Sequence, residues 1–576
     1  AVWTLVRAAS PDISGTEKPM ELAFVNAILR SPTFPPNDPW LSGYSISYYY
    51  FGYVMVAMLT RLSGVSSGVA FNLAIALWFA LTALAAYGLV YNLVVSWRAR
   101  REKDAAPAGG PALARWGALL APFFVLIVSN IEGVLEMLHG RGLFWQQAAD
   151  GSWRSGIWSW LNMLELIQPP TPPFSWIPER VNGIWWWRAS RVLNDLDLAN
   201  RSYEIIDEFP FFSYLLADLH PHLLAMPFAL LAVGLALNLY LGRRSPVAGM
   251  GLLPWLNHLL AGGRPLLARL ELAQWLGGVE FWLAALVLGG LAFLNTWNFP
   301  IYVGLFTATY VLVRYQQDGW RWRRVGELIE LGAALGLAGI VLYLPFYTGF
   351  ASQAGGILPS LSYFTRGVYF WIMFVPLLLP LWAWFIWLWR QQGERALLRQ
   401  GLKFALIVVG GFWLFSYFLG VLAANLSAIG SSLLVSQAAD SRLGQLATSM
   451  VQWGGLLLDR HGSSNATSLL LDSLARRMLA PGTWLMLLGM LTFIWAFLIA
   501  SGRRQPAGQD ASVSAAEGPR AESPEPAAPD AFVLLLILVG VGLALVPEFV
   551  YLRDQFGWRM NTIFKFYFET WILWGV

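Results

Sequence analysis

Asp218-Leu219-His220-Pro221-His222 places a carboxylate and two imidazoles in a stretch, about Phe209 to Leu241, that is otherwise apolar. About 20 apolar residues suffice to cross a bilayer. The three polar groups therefore fall at the outer end of a span, where such residues usually face a cavity and act as metal ligands, proton relays or catalytic pairs. On an unbroken helix the i, i+2 spacing of the histidines puts them on different faces, so joint ligation of one ion requires Pro221 to break the helix. Asp218 with His220 is the pair that could hold a divalent ion. The plain structural alternative is a capping Asp beside interfacial histidines.

Two other groups have the right types for chemistry. Asp12 follows the first apolar run directly, within Pro11-Asp12-Ile13-Ser14-Gly15-Thr16-Glu17-Lys18-Pro19-Met20-Glu21, so it lies close to the membrane surface. A carboxylate there serves either as a base or as a solvated loop residue. Near the end of the chain, Arg559 and Lys565 flank Asn561 and Thr562. Arg binds a phosphate in bidentate fashion and Lys adds a point charge. Cations on an outer face run against the positive-inside rule, which favours an anionic ligand there; simple contact with lipid headgroups is the alternative. Glu132 and Glu136 lie one turn apart just past another span.

The elements that must carry these residues are membrane helices. The chain is 57% hydrophobic and 12% charged, too apolar for a soluble domain of 576 residues. With no Cys, disulfides, thiolate metal sites and Cys nucleophiles are excluded. A net charge of +4 gives no footprint for nucleic acid. Helical spans are predicted at 69–95, 113–131, 209–241, 279–297, 299–316, 327–347, 368–389, 402–424, 481–501, 531–547 and from 563 onward, an all-α bundle of about eleven or twelve spans. Arg98–Lys103, Arg243-Arg244, Arg314–Arg324, Arg390–Arg399 and Arg503-Arg504 make every second loop basic, the cytoplasmic signature of a multi-pass cell-membrane protein. With the N-terminal tail outside, the Arg98 cluster falls inside if residues 46–62 with Tyr48-Tyr49-Tyr50-Phe51-Gly52 lie in the outer interface; the alternative is a short true span and an inverted N-terminus.

Four regions follow. Residues 1–68 hold a truncated first span and a first outer loop with the interfacial helix. Residues 69–501 form the bundle, with outer loops 132–208, 348–367 and 425–480. Residues 502–530, rich in Pro, Ala, Ser and Glu, read as a disordered cytoplasmic linker, and 531–576 as C-terminal spans cut short. The stretch 245–278 reads as a cytoplasmic amphipathic segment, and no internal repeat is visible.

Gly15–Met20, Tyr48–Gly52, Asp218–His222, Asn295-Thr296-Trp297-Asn298-Phe299-Pro300 and Arg559–Lys565 together resemble the YYY-type family of polytopic membrane proteins, which has no settled function. More distantly, Asp12 after a first span, the turn at Asp38-Pro39-Trp40, the interfacial aromatic helix and a second span ending in Arg are similar to the first outer loop of GT-C glycosyltransferases. That resemblance implies a catalytic acid at Asp12 and a second acidic residue at Asp218. Departures are Asp12-Ile13 where many relatives carry adjacent acids, and the His-Pro-His after Asp218.

The resemblance implies a glycosyltransferase drawing on a polyprenyl-phosphate-linked sugar, in the bilayer, at the outer face. Asp12 and Asp218 would be catalytic; Lys18, His220, His222, Arg559, Asn561 and Lys565 would bind substrate. No cofactor is certain; a divalent metal is possible, with Asp218 and His220 as the residues that could hold it. The alternatives are a proton-coupled transporter or flippase using Asp218, His220 and His222 as a relay, and a non-catalytic subunit of a membrane complex.

Overall fold

A computed structural model of the chain describes residues 1–101, 112–177, 186–242, 276–352, 354–392, 394–436, 441–463, 465–503 and 529–576. Most of the expected linker 502–530 and of the amphipathic segment 245–278 lies outside the described residues. Long uncharged runs of Leu, Val, Ala and Phe favour helix because only a helix satisfies every backbone group within lipid. Among the described residues, seven helices are long and apolar enough to span: Ser67–Ala99, Pro221–Gly242, Arg323–Leu342, Gly367–Gln391, Leu397–Leu434, Gly482–Gly502 and Asp530–Glu548. The protein is a multi-pass membrane protein with an all-α bundle. Its sheet is limited to two-stranded antiparallel pieces among the described residues, such as Ile357–Pro359 with Val550–Leu552 and Asn194–Leu196 with Ser202–Glu204.

Cross-contacts fix the helix directions. The Trp78 indole donates to the Leu224 carbonyl at 2.8 Å, and Leu89 meets Gly234 further along, so Ser67–Arg101 and Pro221–Gly242 run parallel. Both begin at the end that holds Asp218. Helix Met560–Gly575 also starts there and pairs with Pro529–Leu545 in the opposite sense, through Thr570 to Gly540 and Trp574 to Ile537. The basic ends of the spans gather at the other end, which the positive-inside rule assigns to the cytoplasm.

Helix Phe51–Ser63 is a short apolar helix. Its first residue stacks on Phe293 and meets Tyr343, at the ends of helices Val279–Leu294 and Arg323–Leu342. After Ser63 the chain turns through Gly64, at a φ of 70°, and enters Ser67–Arg101 at that same end of the bundle. At 13 residues the helix is about 20 Å long, too short for a span.

Two sequence boundaries shift. The run 209–241 divides into Pro210–Leu216 and Pro221–Gly242. Ala217 takes a left-handed φ of 65°, and Pro221 is the first helical residue, a position where proline is tolerated and biases its predecessor out of the helix. Asp218 and His220 thus sit in a break, not within a helix. The span expected at 402–424 belongs to a 42-residue helix, Arg395–Ser436, about 63 Å long against a bilayer of about 40–45 Å. It returns through Arg442–Arg460 and Ala466–Leu479, so most of the described residues in the region expected as loop 425–480 are helical.

Gly401 lets Arg395–Ser436 lie against Gly482–Arg503. A Cβ there would stand 2.1 Å from the Thr492 carbonyl oxygen, whereas one at Gly410 would meet nothing within 4 Å. Gly401→Ala is expected to cost about 1–3 kcal/mol through forced separation of the helices, and to lower the melting temperature in detergent. Gly410→Ala should leave it unchanged.

Candidate functional site

The break at 217–220 and the loop before helix Lys18–Arg30 face each other, and side chains pair across it. Thr16 Oγ1 donates to Asp218 Oδ1 at 2.7 Å, and the Lys18 ammonium lies 4.0 Å from the same oxygen. The Leu219 amide donates to Glu21 Oε2 at 2.7 Å. His220 Nε2 lies 3.1 Å from Glu17 Oε2, and the Nδ1 atoms of His220 and His222 are 2.6 Å apart. His222 reaches onward to Ser213 Oγ at 3.4 Å and Glu208 Oε2 at 3.8 Å, and Ser213 donates to Glu208 at 2.9 Å. The break, not a helical face, brings the two imidazoles together.

Lys565 enters this network from helix Met560–Gly575. It is 6% exposed, and its charge is felt by Glu17, Glu208 and Glu569. The neighbouring Phe564 packs edge-on against His222. Tyr48 lies within electrostatic reach of Glu17 and Glu21, and Tyr49 hydrogen-bonds to Thr296. Stretches from five distant parts of the chain therefore meet at one end of the bundle.

Burial sets the protonation states. Asp218 is pushed up to about 7 by burial first, against the Thr16 hydrogen bond. Burial, with the Asp218 charge beside it, also raises Glu21 well above the ordinary carboxylate range. Burial acts the same way on Glu17, but the His220 hydrogen bond and charge outweigh it and hold Glu17 below its usual value. Burial and then the Lys565 charge lower His220. Because the folded state holds a proton on Asp218 up to about pH 7 and an unfolded Asp releases it near pH 3.9, stability falls as pH rises between those values. Asp218→Asn is expected to make the decline of melting temperature between about pH 5 and about pH 7.5 shallower than in the wild type.

Asp12 is exposed, on the turn between helices Val2–Ala9 and Lys18–Arg30. Arg7, whose Nε and Nη2 hold Asn72 Oδ1 at 3.1 and 2.6 Å, interacts electrostatically with both Asp218 and Asp12, placing the two carboxylates at the same end of the bundle. Asn561 is half-buried, one turn before Lys565. Among the described residues no three His, Asp or Glu side chains converge with metal-ligand spacing, so Asp218 and His220 do not assemble an ion site with a third ligand.

Arg559 requires a correction. Expected as a phosphate clamp, it is fully buried in a separate cluster. Its Nε and Nη2 grip Asp195 at 2.7 and 2.6 Å; Nη1 donates to Glu548 at 2.7 Å and the Pro547 carbonyl at 3.3 Å, and Nη2 also donates to Thr365 at 3.2 Å. A guanidinium has five N–H groups, and these contacts engage all of them. No donor is left for a phosphate.

Residues 1–574 match the DUF2298 family, described as uncharacterized membrane protein. The chain belongs to this family. No curated protein and no solved structure matches it. In this DUF2298 chain, Glu17, Glu21, Glu208 and Glu569 join the site although none was a sequence candidate for it. Glu17 and Glu21 carried a signal in their i, i+4 spacing on the first loop, and Glu569 in being a carboxylate within an apolar run.

Proposed function

We propose that this protein transfers a sugar from a polyprenyl-phosphate donor to an acceptor at the end of the bundle opposite its basic helix ends. The observation that carries the reading is the network of Asp218, Lys18, Glu17 and Lys565 at that end, with Asp12 on the exposed turn nearby, where Arg7 feels both Asp12 and Asp218. A lipid-phosphate sugar presents its reacting carbon at this level. The acceptor hydroxyl oxygen bonds to the anomeric carbon as the bond from that carbon to the phosphate oxygen breaks. The hydroxyl proton passes to the Asp12 carboxylate, which is open to an incoming acceptor. The electron pair leaves with polyprenyl phosphate, and the ammonium groups of Lys18 and Lys565 stabilise its growing charge. Asp218, tied to Thr16 and Lys18, holds the loop that presents them. The test is release of polyprenyl phosphate from polyprenyl-phosphate-linked sugars by the purified protein in liposomes. Cleavage that rises on adding acceptor supports the reading; intact donor under every acceptor condition overturns it.

A proton-coupled transporter or flippase is the second reading. Lys565 and Glu569, one turn apart inside an apolar helix, favour it. It predicts pH-gradient-dependent movement of lipid or solute across the liposome membrane without donor cleavage.

A further inference from the structure

Helix Arg395–Ser436 runs antiparallel to Gly482–Arg503, with Gly401 against Thr492 at one end and Trp413 meeting Trp484 at the other. Trp484 lies in the first turn of its helix, so the longer helix leaves its neighbour behind near Ser416. Residues 417–436 therefore extend about 30 Å past the outer end of that span. The headgroup layer takes up only about 5–8 Å of this length. The rest stands in water.

One face of the extension is covered. A Cβ on Gly420 would strike Leu361, one on Gly430 the Ala447 carbonyl, and one on Gly454 of the returning helix the Ser427 backbone. Among the described residues nothing covers the opposite face, where Phe418 is 64% exposed, Leu422 48% and Ile429 43%. From Phe404 to Ser436 no residue carries a charge. Lipid covers such a surface within the bilayer but not in the water beyond it, where a contiguous apolar patch marks an interaction site.

The spacing of the exposed positions identifies the partner. Leu414, Phe418, Val421, Asn425, Ala428 and Ser432 are all exposed and alternate steps of four and three, the 3.5-residue repeat of a two-stranded coil. That repeat matches another helix of the same pitch. All copies of this chain insert in one sense, so two copies can bring this helix together only in parallel, where each position meets itself. Asn425 then faces Asn425, and a lone Asn in an apolar seam fixes register and strand number. Its Nδ2 donates to the Val421 carbonyl at 2.7 Å, which leaves Oδ1 and the second amide hydrogen for the partner. No charge on the face repels a second copy. A charge-free face about 50 Å long on a helix about 10 Å across gives roughly 1,000 Å² buried between two copies, enough for a specific interface.

We infer that the protein pairs with a second copy of itself through the bare face of helix Arg395–Ser436, in parallel and with Asn425 in register. The inference is independent of the transferase reading.

Because the chain has no Cys, single introduced thiols report the seam directly. Full-length protein carrying Ala428→Cys or Ser432→Cys, reconstituted in liposomes and oxidised, is expected to form disulfide-linked dimers. Ser431→Cys, also exposed but turned away from the seam, should give at least about tenfold less, because its Cα atoms lie too far apart to bridge. Asn425→Glu sets like charges face to face and should weaken pairing at least about tenfold, read by counting subunits as the liposomes are diluted with lipid. Asn425 is exposed, so this variant should keep the wild-type circular dichroism spectrum. Cross-linking at Ser431→Cys as strong as at Ser432→Cys overturns the inference. So does a wild type that stays single at every lipid ratio, its face wetted by lipid, or an Asn425→Glu variant that pairs as tightly as the wild type. Capture of a different protein by Ser432→Cys in native membranes, without the self-pair, overturns it too and assigns the face to another subunit.

Discussion

Asp12→Asn is expected to lower polyprenyl phosphate release by about 10²–10⁴-fold, the usual contribution of a general base, with no change in melting temperature. The stability half of this expectation follows from exposure. Asp12 stands on an open turn, its noted interaction being the longer-range one with Arg7. An amide of the same shape loses the basicity and keeps the packing. The loss should appear in kcat more than in KM, because the proton moves only in the transition state. Asp218→Asn behaves differently. Asp218 holds Thr16 and faces Lys18 across the break, so its replacement should disturb substrate affinity as well as rate. Equal turnover of Asp12→Asn and wild type would remove Asp12 from the chemistry.

Arg559→Leu is expected to cost about 3–5 kcal/mol, the usual penalty for removing one partner of a buried ion pair, read as a large drop in melting temperature. Asp195 and Glu548, 1% and 3% exposed at their side chains, would lose their direct partner and keep only the longer-range charge of Arg477. Asp195 already lies above its usual value, through burial chiefly, even with Arg559 in place. Arg559 also joins the strand Asn194–Leu196, the turn Val546–Glu548 and the start of helix Met560–Gly575, so its loss frees three elements at once. Arg559→Lys should not restore stability: an ammonium has three donors and cannot grip Asp195 in bidentate fashion. A variant at Arg559 that kept full stability but lost lipid binding would return this residue to the phosphate site.

The all-α, multi-pass class was legible because a bilayer imposes length and apolarity on each span. Asp218, His220, His222, Lys18 and Lys565 stood out for the same reason: polar groups at the ends of apolar runs need an explanation. Their pairing was not legible. Glu17 with His220 and Thr16 with Asp218 join positions some 200 residues apart, and nothing local to either stretch specifies the other. Arg559 misled because its type and place suited a phosphate, while its true partner, Asp195, lies in a short strand with no sequence signal of its own. The left-handed Ala217 was equally hidden, since a hydropathy run reads straight through it.

The most direct test of one lipid-phosphate site at this end of the bundle is an electron cryo-microscopy structure of the protein with bound polyprenyl phosphate. The account predicts phosphate density within hydrogen-bond reach of Lys565 and Lys18, with the chain leaving between the helices toward lipid. Phosphate found beside the basic helix ends at the opposite side, or displacing Asp195 from Arg559, would contradict it.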